Sequence, residues 1–143
     1  MPTVKQVQVT FDCAEPVRVA RFWCDVLGYE VPVPEGFGSW DAFDAAQPAG
    51  EQGSWCVAQD PTGAGPRFFF QRVPEGKVAK NRVHVDVRAG AGLVGDERLA
   101  TLRAESARLV APGATELRVM EADGEEESCI VMQDVEGNEF CLD

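Results

Sequence analysis

The chain has 143 residues, of which 45% are hydrophobic, and a formal net charge of −11. That length supports one domain with a proper core, and the apolar content excludes wholesale disorder. The excess of acid excludes nucleic acid and anionic membrane as partners, because both require a basic footprint.

Residues 4–11 alternate, with Val7, Val9 and Phe11 on one face and Gln8, Thr10 and Asp12 on the other, which predicts a strand. Glu15-Pro16 then opens a helix with proline in its first turn. Val19, Phe22, Trp23, Val26 and Leu27 follow at helical spacing, and Gly28 stands where a left-handed cap is wanted. Residues 29–33 read as a short strand ended by Pro32, Pro34 and Gly36. Residues 37–53 read as a long loop with about one turn of helix, carrying Trp40 and Phe43. Strands are predicted over 55–59 and 67–73, with a turn between them.

After a polar linker the pattern begins again. Residues 81–88 predict a strand whose valines, Val83, Val85 and Val87, form a greasy face. Its other face carries His84, Asp86 and Arg88, and His84 is the chain's only histidine. Residues 96–110 predict an amphipathic helix with Leu99, Leu102, Leu109 and Val110 along one side. Strands follow over 115–120, 129–133 and 139–142. The order is β-α-β-β-β twice, with module one at 1–77 and module two at 78–143 of a single domain.

The residues repeat as well as the pattern. Ser54-Trp55-Cys56-Val57-Ala58-Gln59-Asp60-Pro61-Thr62-Gly63 lies over Ser128-Cys129-Ile130-Val131-Met132-Gln133-Asp134-Val135-Glu136-Gly137 with five identities at an offset of 74. Val7-Gln8-Val9-Thr10-Phe11 lies over Val83-His84-Val85-Asp86-Val87 at an offset of 76. One duplicated unit with small loop changes accounts for both offsets. Such modules belong to the α+β class. They predict helices on the outside of a curved sheet, and a central cleft walled by the polar faces of the opening strands.

Gly90-Ala91-Gly92-Leu93-Val94-Gly95 spells the dinucleotide-binding G-x-G-x-x-G, yet its context argues against that use. The strand before it is polar on one face, whereas a central parallel strand is apolar on both. Only 48 residues follow Gly95, too few to finish a doubly wound sheet. A strand-to-helix loop is the better reading. The first residues contain no apolar signal core, and no run approaches a membrane span. Cys13, Cys24, Cys56, Cys129 and Cys141 show no metal-site spacing and read as free thiols of a cytoplasmic protein.

The paired modules, Phe22-Trp23 followed by Val26-Leu27-Gly28, and Asp134-x-Glu136-Gly137-Asn138-Glu139 before the last strand resemble the vicinal-oxygen-chelate superfamily. Phe70-Gln71-Arg72-Val73-Pro74-Glu75 leading into Lys80-Asn81-Arg82-Val83-His84 adds to the likeness, which is nearest to glyoxalase-like and bleomycin-resistance proteins. The resemblance implies one metal ligand from the first strand and one from the last strand of each module. The first-strand positions fall on Gln8 and His84. The last-strand positions, normally glutamate, fall on Cys141 in module two and on Phe69 or Gln71 in module one. Gln8, His84 and Cys141 therefore remain as ligands for a divalent metal, if the protein uses a cofactor at all.

What the resemblance implies is a small-molecule-binding protein, forming a homodimer, without classical glyoxalase I activity. The alternative is a metal-dependent lyase, isomerase or dioxygenase with an altered site. The cleft residues expected are Gln8, Thr10, Asp12, Trp40, Trp55, Phe69, Gln71, His84, Asp86, Arg88, Glu139 and Cys141, with Phe37 as a further aromatic. Asp86 and Glu139 are the candidates for proton transfer. Each has a plainer reading. Asp86, Arg88 and Glu139 suit a structural ion network, Cys141 suits a small buried residue, and Trp55 suits core.

Overall fold

The computed structural model describes residues 3–143. It contains two compact units, Met1–Gly76 and Lys77–Asp143. Both are mixed α+β, each with one small sheet and helical cover.

The first unit contains β1 (Val9–Cys13), α1 (Pro16–Leu27), α2 (Trp40–Ala45), β2 (Trp55–Ala58) and β3 (Phe68–Arg72). The sheet order is β1-β3-β2, with β1 parallel and β2 antiparallel to β3. Helix α1 begins with proline and ends at Gly28, which takes φ 70° and donates its N–H to the Cys24 carbonyl. Left-handed backbone there is cheap only for glycine. Val19, Phe22, Trp23 and Val26 recur every three or four residues, so one stripe of the helix is buried. The Trp23 ring meets Phe11 at 5.2 Å and Phe68 at 5.4 Å. Strand alternation places Phe68 and Phe70 in this core and turns Phe69 and Gln71 to the other face.

The second unit contains β4 (Val85–Val87), α3 (Gly95–Val110), β5 (Thr115–Met120), β6 (Cys129–Gln133) and β7 (Glu139–Leu142). The sheet order is β4-β7-β6-β5, and β4 runs parallel to β7. Helix α3 covers the face formed by Ile130, Met132, Phe140 and Leu142, using Leu102 and Leu109. Its third buried residue is Ser106, whose hydroxyl donates to Glu116.

The repeat is visible in the turns. Asp60 Oδ1 accepts from the Thr62 amide and hydroxyl, and its Oδ2 accepts from Gly65 N. Asp134 Oδ1 accepts from the amides of Glu136 and Asn138, and its Oδ2 accepts from Asn138 Nδ2. Gly63 and Gly137 close the two turns with φ of 76° and 85° and bond back to the aspartate carbonyls. Each is an aspartate-nucleated turn that hands one antiparallel strand to the next.

Several expectations are corrected. Residues 29–33 do not form a strand; only Glu30 bridges to Gln59. Pro32 and Pro34 lack the N–H a ladder needs, so pairing stops after one residue. The first unit therefore runs β-α-α-β-β, not β-α-β-β-β.

The strand expected over 81–88 shortens to three residues, and Val83 is 82% exposed instead of lining an apolar face. Val85 lies opposite Phe140, so residues before 84 run past the end of β7 into its turn and find no ladder. The strand expected over 4–11 starts only at Val9 for a similar reason, because the position before Arg67 is Pro66. Val7 is accordingly exposed. In α3, Val110 faces solvent and Ser106 takes the buried place expected of an apolar side chain.

Both tryptophans are expected from the sequence to line the cleft, with core as the plainer reading of Trp55. Trp40 is buried on α2, capped by Ser39, while Trp55 is partly exposed on the sheet face away from α1.

Candidate functional site

In the second unit the parallel register of β4 and β7 sets Asp86 opposite Cys141. Alternation on both strands sends these two side chains to the face away from α3, since Phe140 and Leu142 take the other. His84 precedes Asp86 by two residues, and its Nε2 lies 3.1 Å from Asp86 Oδ1. Ligating atoms of His84, Asp86 and Cys141 all lie within 4.8 Å of one another. With Nε2 turned to Asp86, Nδ1 is the ring's other nitrogen and a second place for a ligand.

Flanking charges are held in separate pairs instead of the single network of Asp86, Arg88 and Glu139 expected from the sequence. Lys80 Nζ donates to Glu139 Oε2 at 2.6 Å. That bond, with further cations nearby, holds Glu139 below the usual carboxylate range. Arg88 Nη1 donates to Asp143 Oδ2 at 3.2 Å, while Asp143 Oδ1 is buried with no hydrogen-bond partner among the described residues.

Burial, then the Cys129 thiol and the carboxylates of Asp86 and Asp143, push Cys141 up to about 11. It is a neutral thiol at neutral pH and no ready nucleophile. Burial likewise pushes Cys24 up to about 11 and Cys56 up to about 12, from 9.0. None of the five cysteines is in a disulfide.

A pH dependence follows from these thiols. A group whose pKa is raised on folding binds its proton more tightly in the folded state. Its contribution is complete below the unfolded value of 9.0 and is lost as pH climbs through about 11 and 12. Urea midpoints measured in steps from neutral pH upward are expected to fall above pH 9, and a Cys56→Ala background is expected to flatten part of that fall. A midpoint unchanged to pH 11 is the opposite result.

The first unit gathers a different set. On the sheet face away from α1, Asp12 Oδ1 accepts from Gln71 Nε2 at 2.7 Å. Trp55 stacks on Phe69 at 5.7 Å and 17°, and Trp40 meets Trp55 at 4.9 Å and 90°. Phe43 packs on both tryptophans and on Phe37. Thr10 pairs with Phe69 and is exposed, and Gln8 is exposed with its Oε1 accepting from Arg67 Nε at 2.7 Å.

The strand registers settle which residue of β3 corresponds to Cys141. Thr10 and Asp86 are equivalent at the 76-residue offset; Thr10 lies opposite Phe69 and Asp86 opposite Cys141. Phe69, not Gln71, is the counterpart.

The sequence reading grouped His84 and Cys141 with Gln8 and kept Asp86 for proton transfer. The second unit itself sets Asp86 beside His84 and Cys141. The signal was present: Asp86 is two residues from His84 on one strand, and only the register to β7 was missing. Nitrogen, oxygen and sulfur donors within this span fit a divalent metal.

Residues 8–142 match the family model described as Glyoxalase-like domain. The chain is similar in structure to a glyoxalase/bleomycin resistance protein/dioxygenase family enzyme from Burkholderia phytofirmans PsJN, at 13% identity, 94% coverage of each chain and a TM-score of 0.60. It is also similar to a mutant of the fosfomycin resistance protein FosX from Listeria monocytogenes complexed with Mn(II) and 1S,2S-dihydroxypropylphosphonic acid. There the identity is 11%, with 99% of this chain and 90% of that one covered and a TM-score of 0.61. Oxidase ChaP-H2 matches at 16% identity over 99% of this chain and 93% of that one, with a TM-score of 0.56. No curated protein matches the chain. At such identities the structural likenesses establish the fold alone. Among the described residues, no helix is long and apolar enough to cross a membrane.

Proposed function

The chain belongs to the glyoxalase-like domain family, and we propose that it binds a small molecule on the sheet face that carries His84, Asp86 and Cys141. One observation carries the reading: a histidine, a carboxylate and a thiol converge on the polar face of a sheet whose other face is sealed by α3. Such convergence of few polar groups is what fixes a ligand's orientation. Classical glyoxalase I chemistry is not part of the proposal, because Cys141 and Phe69 occupy the positions where the family resemblance implies glutamate.

The test is a broad ligand screen by thermal shift on the purified full chain. A ligand present at about a hundred times its Kd stabilises by about 2.7 kcal/mol, which raises Tm by roughly 5–10 °C. The rise is expected to vanish in His84→Ala. A screen in which no compound shifts Tm removes the proposal. The expected homodimer is read separately by light scattering, where a monomeric mass rejects it.

A second reading is favoured by the same three donors. His84, Asp86 and Cys141 would hold a divalent metal, in keeping with the Mn(II) in the FosX structure. Such an ion would supply Lewis-acid polarisation of a ligand oxygen. Metal analysis of protein purified without chelator tests it: one equivalent is expected in the wild type and none in His84→Ala.

A further inference from the structure

We infer that the ion accepted by His84, Asp86 and Cys141 is a thiophilic one of the zinc type, and that Asp86 on β4 replaces the carboxylate missing from β7. This rests on the metal reading above. The family resemblance implies a carboxylate at the position of Cys141, and the parallel register sets Asp86 directly across from that position. One strand over, the carboxylate returns to the same face, and the last strand contributes sulfur in its place.

The donor set then decides the class of ion. An imidazole nitrogen, one carboxylate oxygen and one sulfur suit a four-coordinate ion that tolerates thiolate, with a position left for ligand or water. An oxygen-preferring octahedral ion gains little from sulfur. The donors lie within 4.8 Å of one another, and the His84–Asp86 contact is already 3.1 Å. Donors around a shared tetrahedral zinc stand roughly 3.3–3.8 Å apart, so small side-chain rotations suffice.

A second observation points to a cation. Asp143 stands two residues beyond Cys141, and its Oδ1 is buried without a hydrogen-bond partner among the described residues. Arg88 offsets part of that charge through the other oxygen. On ligation the S–H bond of Cys141 gives way to a sulfur–metal bond, and the proton leaves to solvent.

The experiment uses the full chain stripped with chelator and titrated separately with cobalt(II), zinc and manganese(II). Cobalt is expected to give a near-ultraviolet thiolate-to-cobalt charge-transfer band. The band is lost in Cys141→Ala and Cys141→Ser but kept in Cys129→Ala, which removes the neighbouring thiol. Zinc affinity drops about tenfold to a hundredfold in His84→Ala and Asp86→Ala. In Cys141→Glu the preference for zinc over manganese shrinks by about tenfold or more. Circular dichroism of each apo variant checks the fold. Cobalt binding without the band, or a band that survives in both Cys141 variants, overturns the inference and leaves the metal reading standing. Calorimetry that detects no ion on the wild type removes both.

Discussion

Trp23→Ala is expected to lower the unfolding free energy by about 3–5 kcal/mol, the usual range for truncating a buried aromatic. Trp23 is 1% exposed and touches Phe11, Phe22 and Phe68 with its ring. The indole packs α1 against β1 and β3 through Phe11 and Phe68, so its removal loses both transfer energy and the packing around the cavity left behind. Guanidinium denaturation measures the loss. Trp55→Ala is the control, because a third of Trp55 is already in water and its loss costs much less. A Trp23→Ala midpoint close to that of the wild type would contradict the assignment of this ring to the core.

Asp134→Ala is expected to cost about 2–4 kcal/mol. Asp134 is 3% exposed, and its carboxylate accepts from two backbone amides and the Asn138 side chain. Removing it strands three donors at the turn that feeds β7, and with it the strand that carries Cys141 and Glu139. Asp134→Asn restores the acceptor oxygen and is expected to recover part of the loss, which separates hydrogen bonding from simple packing. Asp60, its equivalent in the first unit, makes similar bonds in a more open turn, and those bonds hold its pKa low. Its contribution is present above the unfolded carboxylate pKa and is lost as pH falls through the lowered value. Acid titration of Asp60→Ala against wild type reads that difference. Equal losses for the two alanine variants at neutral pH would mean that burial plays no part in the turn's energetics.

Much of the fold could be read from residue patterns because it depends on periodicity. The bounds of β5, β6 and β7 agree with the predicted strands residue for residue, since each is paired at both of its ends, with one bulge at Leu117 in β5. Helix α1 was legible from its apolar stripe and its glycine cap. What periodicity cannot report is whether a partner extends far enough to form a ladder. The first strand of each unit alternates further than its neighbour reaches, so β1 and β4 are shorter than their patterns and Val7 and Val83 lie in water. The same blindness to pairing explains residues 29–33, where the prolines matter more than the flanking valines. At the site, residue types identified His84 and Cys141, whereas the nearness of Asp86 to Cys141 is a property of strand register and needed the structure.

The placement of His84 and Asp86 bears on dynamics. Strand β4 has three residues and among the described residues pairs with β7 alone, whereas β6 is bonded on both sides and largely buried. Amides of β4 are therefore expected to exchange with solvent through local fraying, and those of β6 only through opening of the whole unit. Any ligand that holds His84 and Asp86 must first meet the minor cost of quieting this edge. Its affinity and the order of β4 then become one coupled equilibrium, and slowed exchange confined to residues 84–88 reports occupancy even for a ligand that has no signal of its own.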